Sequence, residues 1–487
     1  MEKLSKAEFR IFLLIIILLI LVTLLTRFEG GADTFDYTDT AKFFAGEYSA
    51  KIRTSHSYLY GLIHSPFVGL FKSFWIFKIT SLASLLLIIY SVYIMGEKDK
   101  RALWLMVLSP IVWYIAPWAS PIQLSSLLFL WGWYFIRAWD KKLKKNVLYL
   151  FYSGILIGLS WAFWDGILFF IPLIAISFLY DKKLIHIFYF IIFILIGALP
   201  KLILDQILFG FAFFTTVRHV MASLTLTFLG GFYSQGGLWG ITNFILLIIF
   251  FPIFTYLIFK KNTFKENKKS VIFVSLSIIL LILNSQIRFV LLIVPIIILI
   301  INKYLTHKKF IAQITFSFIL ILLVLNPYVL QIKWDVGNND KGIEFTHFIK
   351  NIDNINLNGF DKDAIRNDLA DISKDYPNES FIVGNYPDSY RILASFYWGN
   401  NVKEFVSIED YNLHTRNDSI IAIRELCSNV KIKERRDVCI SIWIRKAFND
   451  STNYNAIKYA ISEEENLNLE DFKLIKRYRY LSLFEKI

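Results

Sequence analysis

Charged residues are scarce in this 487-residue sequence, at 19% against about 25% in average soluble domains. The deficit is uneven, because the chain up to about residue 331 consists of long apolar runs, whereas residues 333–487 are rich in Asp, Glu, Asn, Lys and Arg. The change in composition predicts a membrane-embedded domain at 1–331 followed by a soluble domain at 332–487.

Cysteine is almost lacking, since only Cys427 and Cys439 occur, and the sequence has no Cys/His metal cluster, P-loop or dinucleotide fingerprint. The two cysteines either form one disulfide, if their domain faces an oxidising compartment, or remain thiols. No internal repeat is visible either, which argues against a transporter built from inverted halves.

Long apolar runs dominate the first domain, and aromatic residues are abundant, with 46 Phe and 13 Trp. A spanning helix needs about 20 mostly apolar residues, and the first run has no small-residue cleavage site after it, so we interpret it as a retained helix. About eleven candidate spans are predicted, at 11–26, 75–95, 102–116, 122–138, 147–163, 167–180, 184–204, 239–259, 271–283, 289–301 and 310–325.

Lysine-rich clusters at 98–101, 141–145, 181–183, 260–269 and 303–309 alternate with these runs, on the same side as the N-terminus. The positive-inside rule places that side in the cytoplasm and explains the net charge of +13 without nucleic acid. We therefore predict a multi-pass protein of the cell membrane or an ER-type membrane, with a cytoplasmic N-terminus. Two long loops, 27–74 and 205–238, and the C-terminal domain are expected outside.

The first external loop carries an acidic helix in which Asp33, Tyr37 and Ala41 recur every four residues and therefore share one face. Asp36 lies on the adjacent turn. Carboxylates at a membrane interface act as a general base or bind a metal such as Mg²⁺ or Mn²⁺, although solvated acids at a helix start have the same appearance.

The pattern of an Asp soon after the first span, Tyr at +4 and Ala at +8 resembles the first-loop signature of the GT-C superfamily of polytopic glycosyltransferases. Residues 57–67 resemble the amphipathic segment that follows this acid in the family, and residues 199–210 resemble the start of the second external loop. The resemblance implies that Asp33 is the catalytic base, with Asp36 as a second catalytic or metal-binding candidate.

Residues 284–289 resemble the HKExRF-type turn of the dolichyl-phosphate-mannose-dependent branch. Arg288 and Phe289 match, whereas Asn284, Ser285 and Gln286 replace His, Lys and Glu. An Arg at a membrane boundary is costly and suggests a functional site. Its planar guanidinium suits the donor phosphate, although snorkelling to the outer interface is the alternative.

Further site candidates lie in the other external segments. Arg218 and His219 are either additional ligands of the donor phosphate or an ordinary loop pair. Asp165, in the Trp164-Asp165-Gly166 turn, either faces the substrate cavity or is a plain turn residue. Tyr37, Asp165 and Gln286 are the possible substrate-binding residues.

The resemblance implies a GT-C-like α-helical membrane fold and inverting transfer of mannose or another hexose from a polyprenyl- or dolichyl-phosphate donor to a lipid, glycan or protein acceptor. No cofactor is required with a single Asp base. The C-terminal part is predicted to be a small α/β domain, with strands at 380–384, 456–461 and 480–484, that either binds the acceptor or only adds stability. The alternatives are a flippase for lipid-linked sugars and a non-enzymatic assembly subunit.

Overall fold

A computed structural model describes most of the chain. The described residues are 5–25, 37, 40–41, 44–46, 58–71, 75–116, 118–142, 147–225, 261–283, 287–325, 362–383, 404–408, 411, 415, 453–462, 469, 471–479 and 481–487. They fall into two compact units. The first comprises Met1–Phe28, Phe77–His219 and Gly231–Ile355, and the second comprises Glu29–Ile76, Val220–Gly230 and Asn356–Ile487.

Helices make up almost all of the first unit's described residues. In chain order, the helices formed by the described residues are α1 Lys6–Leu25, α2 Leu59–Phe71, α3 Trp75–Met95, α4 Lys100–Val107, α5 Pro110–Ile115, α6 Ile122–Lys142, α7 Val147–Phe163, α8 Ile171–Ile174, α9 Leu184–Phe209, α10 Phe214–Thr225, α11 Lys261–Leu283, α12 Val294–Ile301, α13 His307–Leu325 and α14 Lys362–Asp375. Irregular helical turns are 3₁₀ at Asp165–Phe169, Ile287–Leu292, Asn302–Tyr304 and Tyr454–Ala456, and π at Ala175–Leu179.

Three helices of the described chain are long and apolar enough to cross a membrane, at Lys6–Leu24, Ile76–Met95 and Leu184–Phe209. Shorter apolar helices occur at Val147–Phe163, Asp165–Leu179 and Val294–Tyr304. These positions agree with predicted spans, but the total of about eleven stays a prediction. The predicted span at 239–259 lies outside the described residues.

The predicted span at 102–116 is not continuous. Asp99 caps α4 by accepting a hydrogen bond from the Arg101 backbone N–H at 2.9 Å. The helix ends at Val107, and a new helix begins at Pro110, whose ring has no N–H to donate to the preceding turn. Proline is favoured at the first turn of a helix, so the sequence divides this span into α4 and α5.

Glycines allow α7 and α9 to pack closely. A Cβ at Gly158 would lie 2.0 Å from the Ile194 carbonyl oxygen, and one at Gly197 would lie 2.2 Å from the Ile155 carbonyl oxygen. No other residue fits these positions without moving a backbone. Small residues at helix crossings are the usual means of close packing in membranes, and they fix α9, which carries several site residues.

Several ion pairs among the described residues of the first unit gather at one end of its helices. The side chains concerned come from α1 and from the predicted lysine-rich loops, and they form the ion pairs Glu8–Lys100 at 3.1 Å, Asp140–Lys182 at 2.8 Å, Asp140–Lys269 at 2.9 Å, Asp181–Lys269 at 2.8 Å and Glu266–Lys303 at 3.0 Å. This grouping of the loops agrees with the charge pattern of the sequence. The compartment that this end faces stays a prediction.

The opposite end of the first unit is reached along α6. This helix of 21 residues is about 30 Å long, at 1.5 Å per residue, which matches the hydrocarbon thickness of a bilayer. Its last turn contains Asp140, and its first turn contains Gln123. The Gln123 side chain is fully buried and donates hydrogen bonds to the Ile115 and Trp118 carbonyl oxygens, at 3.0 and 3.1 Å.

The second unit contains a five-stranded mixed sheet in the order β2-β1-β3-β5-β4. Its strands are β1 Ser380–Val383, β2 Glu404–Ser407, β3 Tyr459–Ser462, β4 Phe472–Arg477 and β5 Ser482–Lys486. β1 pairs in parallel with β2 and β3, while β5 pairs antiparallel with β3 and β4. The three predicted strands are present with shifted limits, and β2 and β4 were not predicted.

The core of the sheet is apolar and is built from the central strands, with Ile382, Val406, Ala460 and Phe484 buried together. Helix α14 is joined to the strands by polar contacts, since Asp368 Oδ2 accepts a hydrogen bond from the Leu481 N–H at 3.0 Å. The described part of this unit combines a sheet with a helix, and the predicted small extracytoplasmic α/β domain as a whole stays a prediction. The predicted boundary at 331/332 lies outside the described residues and stays a prediction.

Candidate active site

Several predicted site residues cannot be placed. Asp33, Asp36 and Gln286 lie outside the described residues, and Arg218 lies in α10 with its side chain also outside them. Their proposed roles therefore stay predictions. No cluster of three or more His, Cys, Asp or Glu side chains suited to a metal occurs in the described part of the chain, which does not include the Asp33 and Asp36 pair.

Tyr37 belongs to the second unit and packs against α2. Its ring lies edge-on to Tyr60, with 5.4 Å between centroids, and Tyr37 and Ala41 are both buried, as residues on one helix face would be. Gly61 allows the contact, because a Cβ there would lie 2.6 Å from the Thr40 side chain. The possible substrate-binding role of Tyr37 stays a prediction.

The Trp164-Asp165-Gly166 turn, between α7 and the following 3₁₀ turn, lies in the first unit. A Cβ at Gly166 would lie 2.3 Å from the Trp164 ring, so glycine lets that indole fold over the turn. The Trp164 ring packs against Phe289 at 4.8 Å, and the Phe169 ring lies 6.1 Å from the ring of His219. The turn therefore connects two segments that sequence analysis singled out separately.

Arg288 is positioned beside this turn by aromatic rings. Its guanidinium carbon lies 5.3 Å from the centre of the Trp118 ring and 5.5 Å from the centre of the neighbouring Phe289 ring. Cation–π contacts of this kind orient the planar guanidinium through its face, and its N–H groups, which lie in the plane, stay able to donate hydrogen bonds. Gln123 contributes indirectly, because its hydrogen bond to the Trp118 carbonyl oxygen fixes the segment beneath Arg288.

Asp165 is the carboxylate at the centre of the turn, and it is buried rather than exposed as a plain turn residue would be. Its Oδ1 lies 2.8 Å from Lys201 Nζ, and both side chains are 1% exposed. Asp205, one helical turn after Lys201 on α9, approaches the same ammonium at 3.9 Å and is fully buried.

Thr215 completes this cluster, which we call the Lys201 cluster and define as Asp165, Lys201, Asp205 and Thr215. The Thr215 hydroxyl contacts Lys201 Nζ and donates to Asp205 Oδ2 at 2.7 Å, while the Thr215 N–H donates to the same oxygen at 3.0 Å. Asp205 thus accepts a backbone N–H from the first turn of α10, the helix that carries His219. The cluster therefore fixes α10 against α9.

The charges of the Lys201 cluster do not balance, since two carboxylates share one ammonium. A buried charge costs several kcal/mol unless it is paired and hydrogen-bonded. Within the described chain, Asp165 Oδ2 is buried and accepts no hydrogen bond. The cluster therefore holds an excess carboxylate, and the acceptor capacity of Asp165 Oδ2 is unused within the described residues.

Sequence analysis did not identify Lys201, Asp205 or Thr215 as site residues. The available signal was two opposite charges four residues apart inside an apolar run, where ionisable residues are functional by default. Lys78 is a single ionisable residue in another apolar run; it is buried in α3 and donates to the Thr23 carbonyl oxygen of α1 at 3.4 Å.

Comparisons with known proteins show the fold. No family model matches the sequence, and no curated protein matches it. The structure is similar to crystal structures of ArnT from Cupriavidus metallidurans, with TM-scores of 0.66 for the form bound to undecaprenyl phosphate and 0.61 for the apo form. The identities are 10% and 11%, and 99% of each chain is covered in both comparisons. The chain therefore has an ArnT-like fold, while the assignment to the GT-C superfamily and to its mannosyltransferase branch stays a prediction.

Proposed function

We propose that this protein is a membrane glycosyltransferase that transfers a sugar from a polyprenyl-phosphate donor to an acceptor hydroxyl. The observation that carries the proposal is the fold, which is similar over almost the whole chain to ArnT, a GT-C glycosyltransferase with undecaprenyl phosphate bound. A lipid donor also suits the architecture, since its tail can stay in the bilayer while its phosphate lies at the helix ends.

Arg288 is our candidate for the donor phosphate. The guanidinium lies against the Trp118 and Phe289 rings, in the same aromatic group as Trp164 of the Asp165 turn. A planar fork can donate two parallel hydrogen bonds to one phosphate. As the bond between the anomeric carbon and the phosphate oxygen breaks, Arg288 would stabilise the charge that develops on the departing lipid phosphate. His219 is a second candidate because it packs beside Phe169 of the same turn.

Asp165 is our candidate for binding the transferred sugar. Its Oδ2 accepts no hydrogen bond from any residue that the structure describes, and Lys201 fixes the carboxylate through the other oxygen. A sugar hydroxyl would donate to that oxygen. Mannose or another hexose supplies such hydroxyls, and the identity of the sugar is the finer part of the proposal.

Asp33 is proposed as the general base. It would accept the proton of the acceptor hydroxyl while that oxygen attacks the anomeric carbon and inverts its configuration. If Mg²⁺ or Mn²⁺ takes part, Asp33 and Asp36 would bind it. The acceptor is a lipid, glycan or protein, and the C-terminal domain either helps to bind it or only adds stability.

The test is a transfer assay with purified full-length protein in liposomes and labelled polyprenyl-phosphate mannose or glucose. Asp33→Asn should lower turnover by about 10²–10⁴-fold, the usual contribution of general-base catalysis. Arg288→Ala should raise the donor KM and lower kcat, and Arg288→Lys should recover only part, because Lys lacks the planar fork. Arg10→Ala, on the exposed side of α1, is the matched control and should behave as wild type.

Two outcomes would contradict the proposal. Wild-type turnover in both Asp33→Asn and Arg288→Ala would remove the assigned base and phosphate ligand. Movement of the lipid-linked sugar across the bilayer without formation of a new glycosidic bond would instead support the flippase alternative. Loss of activity on chelation, restored by Mn²⁺ or Mg²⁺, would support the metal-dependent form of the mechanism.

A further inference from the structure

A second group of cations lies at the end of the helices opposite to the candidate active site. We call it the basic belt and define it as Arg101, Arg137, Lys141, Lys182, Lys269 and Lys303. Most of these side chains have a carboxylate within ion-pair distance. Arg101 pairs with Asp99 at 2.6 Å, and the pairs of Lys182, Lys269 and Lys303 are given above.

Arg137 and Lys141 differ from the others. Neither has a carboxylate oxygen within 4.0 Å in the described part of the chain, and they lie four residues apart on α6, where like charges repel. Two neighbouring cations at this position therefore have no carboxylate in direct contact within the described residues.

The hydrogen-bonding groups of Arg137 are also incompletely used. A guanidinium has five N–H donors, and the recorded hydrogen bond of Arg137 runs from Nη2 to Asn267 Oδ1 at 3.1 Å. Within the described residues its Nε is buried without an acceptor. The guanidinium carbon lies 5.3 Å from the centre of the Trp133 ring, which orients the fork but accepts no strong hydrogen bond.

The surroundings of Arg137 are prepared for a polar group. Asn267 interrupts α11 with non-helical angles of φ −123° and ψ 25°, and its Nδ2 donates to the Tyr304 hydroxyl at 2.9 Å. That hydroxyl donates to Glu266 at 2.8 Å. The side-chain amide is thus fixed with its oxygen toward Arg137.

The aromatic residues of this end indicate its depth in the bilayer. Trp131 and Tyr134, which are only partly buried, pack together at 5.8 Å, about two to three helical turns before Lys141 on α6. Trp and Tyr are enriched at the level of the lipid headgroups. The unpaired cations are therefore at the depth of phospholipid phosphates, and basic sites between helices at this level bind anionic headgroups.

We propose that Arg137 and Lys141 bind the phosphate of an anionic phospholipid. Arg137 would donate from Nε and a terminal N–H to two phosphate oxygens, and Lys141 would pair with the remaining charge. This site is separate from the proposed transfer chemistry, and its test does not depend on activity.

The experiment uses full-length protein, freed of lipid in a neutral detergent, and measures the thermal unfolding midpoint against added phosphatidylglycerol. Phosphatidylcholine and inorganic phosphate are added in parallel. Phosphatidylglycerol should raise the midpoint saturably, and the combined Arg137→Gln and Lys141→Gln variant should need a concentration at least about tenfold higher. The matched control, Lys265→Gln with Lys308→Gln, removes the same charge from exposed positions and should follow wild type.

Several results would overturn the proposal. One is an unchanged phosphatidylglycerol dependence in the combined variant, and another is equal stabilisation by phosphatidylcholine. Equal stabilisation by inorganic phosphate would assign the site to free phosphate instead of a lipid. If Arg137→Gln fails to fold, Lys141→Gln alone decides the question, because the Lys141 side chain is exposed and its replacement should be tolerated. The phosphatidylglycerol concentration that stabilises Lys141→Gln should still be several-fold higher than for wild type.

Discussion

Removing the ammonium of Lys201 should destabilise the first unit more than any exposed substitution. Lys201→Met leaves Asp165 and Asp205 buried without their shared counter-charge, at 1% and 0% exposure. Breaking a buried ion pair from one side typically costs about 3–5 kcal/mol. We expect a loss in that range from the free energy of unfolding, because burial leaves neither carboxylate access to water.

The second substitution separates electrostatics from packing. In Lys201→Met combined with Asp165→Asn, one uncompensated charge is gone, and Asp205 still accepts both donors of Thr215. The combined variant should therefore be more stable than Lys201→Met alone. Residues within one network are coupled by about 0.5–3 kcal/mol in such cycles, so the difference is measurable.

Thermal unfolding in detergent, followed by tryptophan fluorescence, measures these effects. Lys265→Met removes an exposed lysine and is the control for the loss of one positive charge. If Lys201→Met unfolds at the wild-type temperature, or if Asp165→Asn makes it still less stable, the ammonium does not compensate two buried carboxylates and the reasoning is refuted.

Three further predictions concern the rest of the molecule. Burial lowers the pKa of His64 to about 4, despite its contact with the Tyr60 carbonyl oxygen. Between pH 4 and 6.5 the unfolded chain therefore binds more protons than the folded protein, and the free energy of unfolding should rise with pH across that window. Unfolding midpoints from pH 4.5 to 7.5 should show this slope, and His64→Gln should flatten it, whereas an equal slope in both proteins would exclude His64. Gly197→Leu should lower the midpoint by several degrees, because its side chain would meet the Ile155 backbone, and an unchanged midpoint would mean that α7 and α9 are not in close contact. Burial alone would raise the pKa of Asp181, but the Lys269 ammonium outweighs burial and lowers that pKa below 3.8. The stability that this pair contributes should be present above pH 4 and lost as the pH falls through the folded pKa. Lys269→Met should remove that acid dependence in the same assay.

The helices were predictable where local composition decides them. The predicted runs at 75–95 and 147–163 coincide with α3 and α7, because a run of apolar residues forms a helix wherever it is buried or in lipid. The break at Pro110 and the π turn at Ala175–Leu179 were missed. Both depend on how neighbouring helices satisfy or displace backbone hydrogen bonds, which a single run of sequence does not contain.

The sheet shows the same limit. β1, β3 and β5 are apolar and were predicted, whereas β4 carries Lys473, Lys476 and Arg477 among its six residues. Its position explains the composition, since β4 lies at the edge of the sheet and lysines at an edge prevent pairing with other chains. Edge position follows from strand order, and strand order depends on contacts between distant segments.

The site was predictable one residue at a time. Asp165 and Arg288 were recognised because each is a charged residue beside an apolar run, and the structure connects them through Trp164 and Phe289. The pairing of Asp165 with Lys201 joins residues of two different helices, and no periodicity in the sequence encodes that contact. The motif therefore indicated which residues to consider, while the fold determined which of them meet.

The energetic cost of the Lys201 cluster is itself an argument about function. Buried ion pairs are seldom more stabilising than apolar residues of the same volume, and α9 packs against α7 through apolar and glycine contacts, as at Ile194 and Gly197. The fold therefore does not need ions at this point. An excess carboxylate with an oxygen that accepts no hydrogen bond within the described chain is better explained by a ligand that donates to it. Arg288 packs on Phe289, whose ring contacts Trp164 of the same turn. A ligand that meets both groups would have hydroxyls at one end and a phosphate at the other, as in a lipid-phosphate sugar.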